Sequence, residues 1–154
     1  MQALVHRMKY QGFHRIGYLL GKRVGDCVAG ECPVPIDFIV PVPLHRSKVR
    51  ERGYNQSVHI ARGVAAVTGW RSEPGCIERK RYTPSQTHLN AVEREANVAG
   101  AFVVPSSRSS MLAGASVLLV DDIVTTGATM RATALALREA GAQRVVACAI
   151  ALAR

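Results

Sequence analysis

Aromatic side chains are scarce in this 154-residue chain, at 5% of the sequence with a single tryptophan. That scarcity implies a core of Val, Ala, Leu and Ile. It also counts against a surface that stacks single-stranded nucleic acid on rings. No apolar run approaches the roughly 18 residues that a membrane helix needs. The start of the chain lacks an apolar stretch followed by a small-residue cleavage site. No membrane insertion and no secretory signal are therefore expected, and the default compartment is the cytoplasm. The four cysteines, Cys27, Cys32, Cys76 and Cys148, never fall in C-x-x-C spacing, which excludes a zinc ribbon built from local pairs. Cys27 and Cys32 stand near enough for a disulfide, but a reducing compartment disfavours one. Cys148, in an apolar run, reads as a small core residue. His88 has no second ligand at helical or turn spacing and reads as a surface or local hydrogen-bonding residue. Neither a Walker A Gly-Lys-Ser/Thr nor a G-x-G-x-x-G is present. Acids are in the minority, 11 against 20 Lys and Arg, for a net charge of +9. Such a balance favours anionic partners (phosphate substrates, nucleic acid or acidic protein surfaces) without choosing among them.

Against these absences one stretch stands out, SVLLVDDIVTTGATM, residues 116–130. Val117 to Val120 does not alternate, so it reads as a parallel strand buried on both faces. Its carboxyl end opens onto the crevice where α/β sheets bind ligands. Ile123 to Thr129 reads as a small, hydroxyl-rich loop. Its backbone N–H groups and the start of the next helix favour a phosphate there. Gly127 lets the backbone bend and approach a ligand, while Thr125, Thr126 and Thr129 supply hydroxyl donors. Asp121 and Asp122 repel phosphate but suit a vicinal diol such as a ribose 2′,3′-hydroxyl pair.

In chain order, residues 1–24 carry a helical pattern that Gly12 interrupts, read as helices covering the sheet. Residues 25–35, with two glycines and two prolines, are expected to form a loop. Ile36 to Val42 is the first core strand, ended by Pro41 and Pro43. The loop that follows carries Arg46, Lys48, Arg50 and Arg52 against Glu51 alone. Cations at the end of a core strand are where a diphosphate would be held, with Arg making forked contacts. Asn55 or Ser57 can cap a helix over 58–68. Ile77 marks a short strand, Arg79-Lys80-Arg81 is a second basic cluster, and Leu89 to Gly100 is predicted helical. Ala101 to Val104 is a short strand and 105–111 a polar loop. A helix from Gly127 to Ala140 and a buried strand from Arg144 to Leu152 close the chain. The alternation predicts an α/β fold with a central, mostly parallel sheet flanked by helices, in a single domain over residues 1–154.

The motif VLLVDDIVTTGAT resembles the phosphoribosyl-pyrophosphate (PRPP) motif of type I phosphoribosyltransferases. The likeness extends over nearly the whole chain. PVPLHRSKVRERGYNQS, Pro41 to Ser57, resembles a segment of the ComF family, as do Lys9-Tyr10-Gln11-Gly12 and the series Arg79, Thr83, Gln86, Leu89, Arg94, Asn97 and Phe102. The resemblance implies a type I phosphoribosyltransferase-like fold in a bacterial protein, with some relatives linked to competence. Family members often carry a four-cysteine zinc module ahead of Lys-Tyr-x-Gly. This chain begins only a few residues before that segment, so zinc is not expected in it.

By motif position, the resemblance implies that Asp121 and Asp122 hold the ribose hydroxyls. Thr125, Thr126, Gly127, Ala128 and Thr129 would cradle the 5′-phosphate. Arg46, Lys48, Arg50 and Arg52 are the diphosphate candidates, joined by Lys80 and Arg81 with Arg79 on a loop that closes over substrate. Mg²⁺ is expected to arrive with PRPP; no metal ligand from the protein is assigned. The transferase reading has a nucleophilic acceptor, unidentified, displacing pyrophosphate from PRPP. Two readings compete with it. In one, a PRPP-binding accessory does not turn over. In the other, a competence factor binds single-stranded DNA or a protein of the competence machinery. A homodimer is left open.

Overall fold

The computed structural model describes residues 14–81, 98 and 100–153. Expectations placed on residues 1–13 and 82–97, including Lys9, Gln86, His88, Arg94, Asn97 and most of the helix predicted from Leu89, lie outside the described residues.

Two strands set the frame. β1 (Phe38–Pro41) and β5 (Ser116–Val124) pair in parallel at the centre of a four-stranded sheet, with Phe38 opposite Val117 and Pro41 opposite Val120. Asp37 fixes the register at their start: its N–H donates to Ser116 O at 2.9 Å, and its carboxylate accepts from Ser116 N at 2.8 Å. β2 (Arg71–Ser72) lies outside β1 and β6 (Arg144–Leu152) outside β5, both parallel. A separate antiparallel pair joins β3 (Glu78–Arg79) to β4 (Phe102–Val103).

The apolar run of β5 divides between two cores, as alternate side chains of a strand must. Leu118 and Val120 pack with Ile39, Ile60 and Val64 under α1 (His14–Glu31) and α3 (Gln56–Thr68). Val117 and Leu119 pack with Phe38, Val40, Phe102, Leu112 and Leu137, beside α4 (Ser106–Leu112) and α5 (Ala128–Glu139). All four residues of Val117–Val120 have zero exposure, which is why the run shows no polar alternation.

Several boundaries differ from the sequence expectation, each for a tertiary reason. The loop expected over residues 25–35 begins only after Glu31, because α1 runs through Gly25. That glycine is buried, and a methyl on it would sit 2.9 Å from Val67 Cβ, so close helix packing outweighs its low helix propensity. The basic stretch after β1 is a helix, α2 (Arg46–Arg52), capped by His45 and ended by Gly53 in the left-handed region. The polar loop expected at 105–111 is α4, anchored by fully buried Leu112. β5 continues through the two aspartates to Val124, because β6 pairs with it as far as Leu152. β6 itself is an edge strand and half-exposed along most of its length, not a buried one, so Cys148 is half-buried. Cys27 and Cys32 are free thiols.

The α1–α3 contact depends on glycine at its crossing. A methyl added at Gly63 would fall on the carbonyl oxygen of Tyr18, and one at Gly21 on that of Ile60. Backbone cannot move aside as a flexible side chain can. Gly63→Ala is expected to destabilise the fold by roughly 3 kcal/mol, the upper part of the overpacking range. Urea unfolding monitored by circular dichroism checks this, and an unchanged midpoint would refute it.

Candidate functional site

The carboxyl ends of β1 and β5 lie side by side, and the polar residues of the chain's two motifs gather there. β1 leaves the sheet through Pro41-Val42-Pro43, after Val42 N–H makes one further bond to Val120 O at 2.8 Å. The carbonyl of Val42 then accepts from Asn55 Nδ2 at 2.9 Å. Asn55 is the N-cap of α3: its Oδ1 accepts from Ser57 N at 3.1 Å. Ser57 Oγ in turn donates to Asp121 Oδ1 at 3.0 Å.

Asp121 and Asp122 occupy successive positions where β5 passes out of the core. Asp121 Oδ1 also accepts from Asp122 N at 2.9 Å, and Asp122 Oδ1 accepts from Ile123 N at 2.8 Å. Burial pushes the Asp121 carboxyl up from 3.8 to about 7, and the Asp122 charge beside it adds to the rise; the bonds from Asp122 N–H and Ser57 oppose it. Arg79 on β3 feels the Asp121 charge, while burial lowers the pKa of its guanidinium. Its guanidinium carbon lies 5.5 Å from the centroid of the Phe102 ring.

After Val124 the chain turns through Thr125, Thr126 and Gly127 into α5. Gly127 has φ +78°, and the helix start has no side-chain capping bond. Ala128 N reaches Thr126 Oγ1 at 3.4 Å, near the long limit for a hydrogen bond. The first turn of α5 thus keeps much of its capacity to receive an anion. Arg131 folds back across the turn: its Nη1 donates to Thr126 O at 2.9 Å and lies 2.9 Å from where a Cβ on Gly127 would be. Thr125 is exposed, Thr126 and Thr129 half-buried. The Ala128 side chain is buried, so only its backbone can meet a ligand.

The cations stand around this end of the sheet. Arg46 and Lys80, from the two basic segments, meet on one oxygen: Glu78 Oε2 is 3.6 Å from Arg46 Nη2 and 2.6 Å from Lys80 Nζ. Lys48 pairs with Glu51 at 2.7 Å. Arg50 and Arg81 are exposed and Arg52 is half-buried. Exposed ion pairs of this kind are weak and yield readily to a more highly charged anion. Among the described residues no group of three or more His, Cys, Asp or Glu could hold a metal ion. Burial pushes the Cys76 and Cys148 thiols up to about 11 and about 12, so neither is a ready thiolate nucleophile.

Sequence reasoning underrated Ser57, Asn55 and Arg131. Ser57 and Asn55 were legible as cap residues, but a hydrogen bond across 64 positions to Asp121 has no local signal. Arg131 lies on the face of α5 that turns back to its own N-terminus, a position visible only once Gly127 is known to be the cap.

The raised Asp121 pKa has a consequence for stability. From pH 4 to about 7 the unfolded chain has lost this proton while the folded protein keeps it, so the buried carboxyl lowers stability as pH rises through that window. Asp121→Asn should therefore gain stability relative to wild type from pH 4 to 7, with the difference level above pH 7. Thermal unfolding at several pH values checks this; a pH-independent difference would contradict it.

Comparison with known proteins bears on the family and the fold. The phosphoribosyl transferase domain model matches residues 74–154. DNA utilization protein YhgH of Salmonella typhi is 32% identical over 94% of this chain and 64% of its own length. Competence protein F of Haemophilus influenzae is 30% identical over 94% of this chain and 65% of its own. The chain thus spans about two thirds of the length of these relatives. Among solved structures, a glutamine phosphoribosylpyrophosphate amidotransferase from B. subtilis, complexed with ADP and GMP, superposes with a TM-score of 0.56 at 26% identity. That match covers 86% of this chain and 26% of the amidotransferase chain. With a family model matched over more than half its length and a parallel α/β sheet of the same kind, the chain belongs to the phosphoribosyl transferase domain family.

Proposed function

We propose that this protein binds PRPP at the carboxyl ends of β1 and β5 and transfers its phosphoribosyl group to a nucleophilic acceptor, releasing pyrophosphate. One observation carries the reading: a paired carboxylate and an uncapped, glycine-started helix follow each other at the end of one buried strand, with a cationic helix at the end of its neighbour. The three parts match the three charged or polar regions of PRPP. Asp121 and Asp122 accept from the ribose hydroxyls. The backbone of Thr125–Thr129 and the Thr hydroxyls hold the 5′-phosphate. Arg46, Lys48, Arg50 and Arg52, with Lys80 and Arg81 from the β3 side, neutralise the departing diphosphate.

The donor set suits Mg²⁺ brought in by the substrate. Two adjacent carboxylates are too few for a protein cage, whereas Mg²⁺ favours substrate phosphate oxygens and water. When bound, the ion supplies positive charge to the leaving diphosphate. The single-domain reading of residues 1–154 and a cytoplasmic setting belong to the same proposal. No helix among the described residues is long and apolar enough to cross a membrane.

A second reading is favoured by the net charge of +9 together with relatives named for DNA utilization and competence. In it, the protein serves DNA uptake as a PRPP-responsive accessory, binding DNA or a partner without turnover. Such DNA binding would weaken steeply with salt.

Isothermal calorimetry with PRPP, with and without Mg²⁺, tests the first reading. Wild type is expected to bind in a metal-dependent way. The Asp121→Asn/Asp122→Asn variant should lose about a hundredfold or more in affinity, since two charge-assisted contacts go at once. A screen of nitrogenous acceptors for pyrophosphate release then separates transfer from binding alone. A folded wild-type protein that does not bind PRPP would sink both PRPP readings.

A further inference from the structure

The two aspartates of the motif are adjacent in sequence but not equivalent in the fold. Asp121 Oδ1 takes two hydrogen bonds, from Ser57 Oγ and from Asp122 N. These two bonds fix the position of Oδ1 and so the orientation of the carboxylate. Ser57 is 4% exposed and is the second residue of α3, whose N-cap is Asn55. Capping by Asn55 leaves Ser57 Oγ for Asp121. Asn55 also grips the carbonyl of Val42 beyond the end of β1. A continuous strut therefore runs from β1 through Asn55 and Ser57 to the carboxylate on β5.

We propose that Ser57 is a positioning residue, holding the Asp121 carboxylate through this strut in the orientation that accepts from the ribose hydroxyls. The identity of the ligand rests on the PRPP reading; the hydrogen bond and its effect on Asp121 do not. Ser57 acts by supplying a buried hydroxyl to a carboxylate that burial disfavours. The charged and titratable groups around Asp121 are Asp122 on its own strand, Arg79 from β3 and Cys148 from β6. Ser57 Oγ is the neutral side-chain donor to Asp121, beside the backbone N–H of Asp122.

The test compares wild type, Ser57→Ala and Ser57→Thr with two probes, ribose 5-phosphate in the presence of Mg²⁺ and inorganic phosphate. A hydrogen bond to a charged group corresponds to about ten- to a hundredfold in affinity, and Ser57→Ala should lose that much for ribose 5-phosphate. Its affinity for inorganic phosphate, held at the Thr125–Thr129 turn, should change by less than about twofold, and Ser57→Thr, which keeps the hydroxyl, should recover most of the loss. Equal losses for both probes would mean that Ser57 merely supports the fold, and no loss for either would overturn the proposal. A second measurement needs no ligand. Carboxyl ¹³C NMR of the free protein should place the Asp121 titration midpoint higher in Ser57→Ala than in wild type, because the donor that favours the ionised form is gone. An unmoved midpoint would overturn the strut. Failure of wild type to bind either probe would count against the PRPP reading, leaving the NMR midpoint to decide the role of Ser57.

Discussion

The pairing of β1 with β5 is the constraint on which the rest of the structure depends. β1 and the first five residues of β5 are buried, so their backbone groups must find partners in the ladder and their side chains are almost all apolar. Charged side chains are thereby excluded from Phe38–Pro41 and Ser116–Val120, and on these two strands they begin only at Asp121, where β5 leaves the core beside the exit of β1 at Val42. The same pairing places those two exits next to each other. The Asn55 cap, the basic α2, the aspartates and the Gly127 turn are each attached to one exit or the other, and Arg79–Arg81 come from the separate β3–β4 pair.

The site sets a half-buried acid with a raised pKa within a strongly basic protein. Asp121 is held against the ordinary preference of a carboxylate for water, and its neighbour Asp122 makes ionisation harder still. Hydrogen bonds from Ser57 and from a backbone N–H offset part of that cost. The cations of the two basic segments are engaged with acids of the chain itself: Arg46 and Lys80 with Glu78, and Lys48 with Glu51. Weak internal ion pairs that a multiply charged ligand can displace keep the basic segments in place without committing them.

Membership of the phosphoribosyl transferase family explains the architecture and the placement of the motif. It does not choose an acceptor. The amidotransferase with which the chain superposes and the relatives named for DNA utilization and competence point to different outputs for one scaffold. A fold constrains where a ligand sits more than what is done with it.

Much of this was legible in the residues alone. Val117 to Val120 announced a two-faced buried strand because nothing polar interrupts it, and Asp-Asp followed by Thr-Thr-Gly marked its exit. The ComF resemblance accords with the relatives found, and the α/β class followed from the alternation of elements. Residues whose roles depend on distant partners were not legible. The helix through Gly25 exists because Val67 lies against it, and the half-exposure of β6 follows from its place at the sheet edge. Ser57 read as a cap until Asn55 was seen to take that place. The physical reason is common to all three. Sequence determines periodicity, turn chemistry and the order of polar groups, which are local properties of the chain. The tertiary structure alone decided which carboxylate oxygen meets Ser57 and which cations share Glu78, because both are set by segments that meet only when the core closes.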